Sequence, residues 1–523
     1  MEASSAAAGT DGRVETGGPV VTTAPSETLA AALAQRIGDL APVAPSVAYA
    51  LFDRSGILLH RGSGEYRLTS EPPTVDTVYR IASMSKSVEA AVVLMLRDRG
   101  LLGLDDPVAS HVPEFVDPVD AEGAAMPVTV RMLLANSSGL PEDNAWADHV
   151  IDMQRDEFLA LVGRGLSFTE RPGAVYQYSN IGFWLLGIMV ENLTGEGFAE
   201  FATRSLLEPL GLEGTRYDIA EYPDDGAGSG IAEGFSTFDE GATWVARPVI
   251  GPGVGSCAAS LFSTLTDVAR WSAWLSSAFD PEYGDDRVLS RASRREMQRG
   301  ATVLPSPVDR PAGPAVESAA YGLGLVIEHD TRFGAIAQHS GGLPGWSSNM
   351  RWHLASGLGV AVFANSNGAK LGVVAAALLR AALEDLDPPA REVVLWPSTL
   401  EAALAIEAAI TDGDLLEAAR LFSPNLLSDV PAEERTRRLS RAIAEVGGLA
   451  DAADRRPLRE RLLWSASAAH IAFSVPGRTG ELECRVETTP TRPSLVQRLD
   501  IAKREPTTAL SPVVRHYRPL IED

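Results

Sequence analysis

The chain has 523 residues, 45% of them apolar and 22% charged, a composition that reads as soluble and globular with material for more than one core. Its 69 acidic residues against 45 basic ones leave a formal net charge of −24, which disfavours nucleic acid and anionic membranes as partners. Two cysteines, Cys257 and Cys484, exclude a disulfide framework and show no zinc spacing, so each is expected as a small buried side chain.

Met1 to about Ser26 is rich in Ala, Gly, Ser and Thr and lacks the basic and apolar regions of a signal peptide. No run is long and apolar enough to span a bilayer. Residues 1–26 are therefore expected as a flexible tail on a cytoplasmic protein. Ser26 is placed to cap a helix carrying Leu29, Leu33, Ile37 and Leu40 at helical spacing. Val47–Phe52, a turn at Asp53-Arg54-Ser55-Gly56, and Ile57–His60 predict a hairpin. A helix is expected from about Ser83 to Gly100, with Val88, Val92 and Met95 on one face and Gly100 or Gly103 ending it. Residues 105–250 are dense in turn residues and mostly helical or loop-like. Strand signals return at Gly322–Ile327, Ala335–Gln338 and Gly359–Ala364, and Leu371–Leu386 predicts the helix that closes the region.

Strands at both ends of a helical middle predict an α+β fold, an α/β sandwich with an inserted helical part, over residues 27–388. Asp387-Pro388-Pro389 marks its boundary, because paired prolines end helices and stiffen linkers. Residues 389–523 then predict a separate α+β module. Its amphipathic helices lie at Leu400–Phe422 and Pro431–Val446, and its strands at Ala469–Val475, Glu481–Val486 and Leu495–Ile501.

Only three of the basic residues are lysines: Lys86, Lys370 and Lys503. The first closes Ser83-Met84-Ser85-Lys86, an S-x-x-K pattern. On a helix, residues three apart share a face, so the Lys86 amine can reach the Ser83 hydroxyl. A serine is a poor nucleophile until a base takes its proton, and a buried lysine can serve because desolvation lowers its pKa. A surface lysine one turn after a serine has the same spacing, so the pattern alone decides nothing.

Tyr178-Ser179-Asn180 offers a hydroxyl that relays protons if cationic neighbours lower its pKa, and an amide that both donates and accepts. A tyrosine in such an aromatic stretch is also commonly core. His339-Ser340-Gly341 follows the strand signal at Ala335–Gln338, where an edge strand could line a cleft and the glycine keep the approach open. The three patterns carry weight as a set and in that order. There is no G-x-S-x-G elbow, H-E-x-x-H pair, Walker loop or dinucleotide glycine pattern, and no metal or organic cofactor is implied.

With these motifs the chain resembles the serine β-lactamase-related superfamily, especially its class C-like esterase, D-aminopeptidase and low-molecular-weight penicillin-binding branches. Further stretches are similar over about residues 27–388. They are Leu101-Leu102-Gly103-Leu104-Asp105-Asp106-Pro107-Val108, Leu133-Leu134-Ala135-Asn136-Ser137-Ser138-Gly139-Leu140, Tyr321-Gly322-Leu323-Gly324 and Pro344-Gly345-Trp346-Ser347-Ser348. The resemblance implies an antiparallel sheet flanked by helices, with the site between sheet and helical part. It implies Ser83 as acyl acceptor, Lys86 and Tyr178 as the proton-transfer pair, and Asn180 holding substrate and Lys86. The backbone N–H groups of Ser83 and Gly342 would form the oxyanion hole, beside Gly341.

His339 stands where penicillin-recognising members often carry lysine, so a fixed positive charge for a substrate carboxylate is lost near neutral pH. Asn136 stands where the family turn usually has histidine, and Ala258-Ala259-Ser260 replaces a glycine-rich stretch. The expected activity is acyl transfer on a small-molecule ester or amide. Carboxylesterase comes first, then D-amino-acid peptidase, then β-lactamase, and the rival from another class is an acylated sensor that does not turn over. A homo-oligomer is an open expectation. The second module resembles small cystatin-like or nuclear-transport-factor-like accessory domains.

Overall fold

The structure, a computed structural model, describes residues 25–38, 43–68, 71–223, 230–280, 283, 286–305, 316–330, 332–386, 392–451, 455–505 and 518–521. Most of the expected tail, Leu40 and the Asp387-Pro388-Pro389 boundary lie outside the described residues. Contacts divide the chain into two compact units, Met1–Pro388 and Pro389–Asp523.

In the first unit the Ser26 hydroxyl accepts from the Leu29 N–H and caps helix α1 (Glu27–Gly38). The hairpin follows as β1 (Ser46–Asp53) and β2 (Gly56–Gly64). The expected helix at Ser83 begins later: Ser83 sits in a 3-10 turn, Ala82–Met84, and helix α2 runs Ser85–Asp98. Nor does α2 have a single apolar face, since every side chain from Ser85 to Leu96 is buried. Lys86 and Glu89 are inside with the rest.

A helical part follows. Its central helix α3 (Asn180–Thr194) is capped by the Ser179 hydroxyl and packs on α2. Helix α4 (Leu265–Ser276) then returns the chain to the sheet. The remaining strands of the large sheet are β3 (Thr302–Val303), β4 (Val316–Tyr321), β5 (Val326–Asp330), β6 (Gly334–Leu343), β7 (Trp346–His353) and β8 (Gly359–Ala364). All eight strands form one antiparallel sheet in the order β2-β1-β8-β7-β6-β5-β4-β3.

The expected strand Gly322–Ile327 is mostly the turn between β4 and β5. Its glycine Gly324 holds φ +70°, and a Cβ there would meet the Lys86 carbonyl at 2.5 Å, so only glycine fits this close approach. Strand β7 carried no strand signal, because it is buried throughout and so lacks the polar alternation of a half-exposed strand.

The sheet alternates as its pleat requires. Val47, Tyr49, Leu51, Val360 and Val362 pack into one core with α1 and helix α5 (Leu371–Leu386). Ala48, Ala50, Phe52, Ala361 and Phe363 pack on the other face with Trp271, Trp274 and Leu275 of α4. The unit is thus an α/β sandwich of antiparallel strands with an inserted helical part.

In the second unit, α6 (Pro397–Asp412) and α7 (Ala432–Glu445) accompany the antiparallel sheet β10-β11-β12-β13. These strands are Leu462–Trp464, His470–Pro476, Glu481–Thr488 and Val496–Lys503. A separate parallel pair joins β9 (Glu392–Val394) to β14 (Arg518–Leu520). The expected helix Leu400–Phe422 is broken at Gly413, whose φ of +76° ends α6 before a 3-10 stretch at Leu415–Leu421. Ile406, Ile410, Phe473 and Val486 form its core. Both cysteines are buried and free. Among the described residues no helix is long and apolar enough to cross a membrane.

Candidate active site

Ser83 is held at the end of a strained turn. Ala82 before it has φ +49°, a left-handed conformation that costs a non-glycine residue energy and persists only where its surroundings impose it. Those surroundings are explicit. The Ile81 N–H donates to the Leu261 carbonyl at 2.8 Å, and the Ser348 hydroxyl donates to the Ile81 carbonyl at 2.8 Å. Gly341 of β6 presses on the same carbonyl, and a Cβ there would stand 2.1 Å from that oxygen and 2.3 Å from Ser348 Oγ. Gly342 has nothing within 4 Å of its Cβ position among the described residues.

Strand β6 is not an edge strand along its whole length, since it pairs with β7 from Ile336 to Leu343 and with β5 over its first half. Its ladder with β5 stops at the Gln338–Val326 pair, so beyond that point His339 to Leu343 pair, among the described residues, with β7 alone. This half forms one wall of a cleft of about 1030 Å³ whose lining includes Ser83, Tyr178, His339, Gly341 and Gly342.

Lys86 lies fully buried beneath Ser83. Its Nζ is 3.1 Å from Ser83 Oγ, 2.7 Å from Asn180 Oδ1 and 3.4 Å from the Ala258 carbonyl. Burial lowers its pKa from 10.5 to about 8, against the opposing pull of nearby acids, Asp143 and Asp148 among them. The Asn180 amide is oriented by its neighbours, because Nδ2 donates to Asp143 Oδ1 at 2.9 Å and to Asn144 Oδ1 at 2.8 Å. Its Oδ1 is therefore the atom left for Lys86. Asp143 also accepts from the Ser179 hydroxyl and from the backbone N–H groups of Asn180 and Ile181, so it fastens the start of α3. Sequence reasoning missed Asp143, whose role is visible only through these long-range bonds.

The Tyr178 hydroxyl hydrogen-bonds Ser83, and its ring lies 5.0 Å from Lys86 Nζ. The expectation of a lowered tyrosine pKa is corrected: burial raises it well above 10, with Asp148 and Asp143 adding to the rise. Asn136 places this segment. Its Oδ1 accepts from the Ser179 N–H and its carbonyl from the Gln177 N–H, at 3.0 and 2.8 Å, and its φ of +52° suits asparagine.

His339 is buried and neutral, its pKa pushed down to about 3 by desolvation and then by Lys86. Its Nδ1–H donates to the Ser340 carbonyl at 2.7 Å, which leaves Nε2 to accept the Tyr321 hydroxyl at 3.0 Å. The structure thus brings all seven expected site residues to one place. The cleft also takes in Glu142 and Asp148 from the helical part and Lys370 from the segment after β8. Among the described residues no group of three or more His, Cys, Asp or Glu could hold a metal ion.

A family model described as Beta-lactamase matches residues 30–384. The chain belongs to that family. It is 28% identical over 309 residues to "Penicillin-binding protein 4*" of Bacillus subtilis (strain 168), over 56% of this chain and 62% of the relative, so less than two thirds of that protein is matched. The fold is similar to the octameric penicillin-binding protein homologue from Pyrococcus abyssi, with TM-score 0.57 and 20% identity over 91% of this chain and 99% of the other. It is also similar to EstCE1, a hydrolase with promiscuous acyltransferase activity, with TM-score 0.55 and 16% identity over 68% and 98% of the two chains.

Proposed function

We propose that the chain is a serine hydrolase that works through an acyl-enzyme on small esters or amides, and that its first activity is carboxylesterase. The observation that carries this reading is the 3.1 Å contact between a cleft-lining serine hydroxyl and a fully buried lysine amine. As an ammonium, Lys86 can donate one proton to each of its three acceptors. As a neutral amine it keeps two for Asn180 and Ala258 and turns its lone pair to Ser83. In that state it takes the hydroxyl proton as Oγ attacks the carbonyl carbon.

The backbone N–H groups of Ser83 and Gly342 receive the developing oxyanion. Collapse of the tetrahedral intermediate breaks the bond to the leaving group, which takes up a proton relayed from Lys86 through Tyr178. Tyr178 stays a phenol throughout and passes protons as a hydroxyl, never as a phenolate. Water then attacks the acyl-enzyme with Lys86 again as base, releasing the acid and restoring Ser83.

The neutral His339 gives a substrate carboxylate no positive partner on β6, which supports an ester with no obligatory anion at that strand. A second reading, hydrolysis of D-amino-acid amides or peptides, is favoured by Glu142 and Asp148 in the cleft, which can receive a substrate ammonium. Given the assembly named for the Pyrococcus abyssi neighbour, we also propose that the chain self-associates, which light scattering reads directly.

The test is hydrolysis of p-nitrophenyl butyrate by wild type and Ser83→Ala in parallel. Wild type turns over many times and the variant falls to background. A variant as active as wild type removes Ser83 from the reaction. If wild type acylates once and stops, the chain is an acylated sensor, and D-amino-acid amides separate the peptidase from both.

A further inference from the structure

Lys86 has a second titratable neighbour that the proposed reaction does not use. Glu89 follows three residues later on α2, on the same side of the helix, and is fully buried. Neither of its carboxyl oxygens has a partner at hydrogen-bond geometry, and no salt bridge reaches it among the described residues. What surrounds it is the Cys257 thiol from the short helix Ser256–Ala259, the Gly187 backbone of α3, and the phenols Tyr217 and Tyr321. The thiol packs so closely that a Cβ on Gly187 would lie 2.8 Å from Cys257 Sγ and 3.8 Å from Glu89 Oε1. Among the described residues Lys86 is the cation that acts on it, and the Lys86 amine is already engaged by Ser83, Asn180 and Ala258.

An ionised carboxylate in such a place is shut off from solvent, with only a thiol and one backbone N–H near it, and is strongly disfavoured. As a neutral acid the same group loses little. The ammonium of Lys86 is disfavoured in the same medium, because a buried cation needs a counter-charge that a neutral acid does not supply. We propose that Glu89 is a positioning residue held as an uncharged carboxylic acid behind Lys86, so that the lysine has no fixed anion at its back and can stand as the free amine that accepts the Ser83 proton. The proposal rests on the acyl-transfer reading above. Burial raises the Glu89 pKa well above 4.5, in keeping with the geometry. The other charges that reach Lys86, Asp143 and Asp148, lie on the helical-part side and remain in every variant considered.

Two measurements test it. The first is the infrared spectrum of the intact wild type at pH 8.5, compared with Glu89→Gln. A protonated-carboxyl carbonyl band that is present in wild type and missing from the variant is expected. Its absence from wild type overturns the proposal whether or not the variant folds, because this reading needs no turnover. The second is the pH profile of kcat/KM for p-nitrophenyl butyrate. Glutamine reproduces the neutral acid, so Glu89→Gln should keep activity within about threefold and leave the midpoint of the acid limb in place. A midpoint lowered by about one pH unit or more means that an ionised Glu89 had been holding Lys86 protonated, and the proposal fails. If wild type does not turn over at all, the acyl-transfer reading fails while the infrared result still decides the state of Glu89.

Discussion

Lys86 Nζ stands 2.7 Å from Asn180 Oδ1, closer than its 3.1 Å approach to Ser83. The lysine is thus aimed by the asparagine, and the asparagine by Asp143 and Asn144. Asn180→Ala removes the aim while leaving the base and nucleophile in place. A loss of about 10- to 100-fold in kcat is expected, as for partners that orient a catalytic group, with the chain still folded. Steady-state kinetics with circular dichroism checks both halves, and unchanged kcat would dismiss the role.

The same lysine sets the pH dependence. With its pKa lowered to about 8, the amine is mostly protonated at pH 7 and mostly free at pH 9. Activity should therefore rise with pH through about 8. Lys86→Arg cannot supply a free amine in this range and should lose about 10³-fold or more. A pH–rate profile that is flat from pH 6 to 10 contradicts this assignment.

Tyr178→Phe separates proton relay from ionisation. The phenol is held un-ionised by burial, so deleting its hydroxyl should lower kcat by about 10²-fold or more without moving the acid-limb midpoint. If that midpoint shifts with the substitution, the tyrosine titrates with Lys86 and the relay described above is wrong.

Two adjacent glycines should behave oppositely. At Gly341 a methyl group would collide with the Ile81 carbonyl and Ser348, both of which hold the turn before Ser83. Gly341→Ala is expected to cost about 1–3 kcal/mol of stability and much of the activity. Gly342→Ala meets nothing within 4 Å among the described residues and should leave the thermal midpoint alone. Thermal unfolding of the pair decides it, and equal midpoints would contradict the packing described.

His339 makes the fold acid-sensitive. Its pKa is about 3 in the folded chain and about 6.5 when unfolded, so the unfolded state binds more protons between those values. Stability is fully retained above pH 6.5 and is lost as pH falls toward 3, by several kcal/mol in all. The neutral His339→Gln should show a shallower decline. Parallel declines for the two proteins would remove His339 from the account.

Much of this was legible from residue patterns. The hairpin, the helix Leu371–Leu386 and the three motifs announce themselves through periodicity and residue type. What stayed hidden depends on burial. Strand β7 is enclosed on both faces and so shows no alternation, and α2 is wrapped on all sides and so presents no single stripe. The 3-10 turn at Ser83 arises from contacts with Leu261, Gly341 and Ser348, far along the chain. Asp143 and Glu89 are ordinary acids in sequence, and the direction of the Tyr178 shift follows from its enclosure rather than from its neighbour lysine.

The central claim is that Ser83 becomes acylated, and covalent labelling reads it most directly. Wild type and Ser83→Ala, both shown to be folded, are treated with a fluorophosphonate and weighed as intact chains, and the labelled peptide is then located. One label per wild-type chain, on the peptide holding Ser83, and none on the variant is expected. Label on the variant, or on another residue of the wild type, contradicts it.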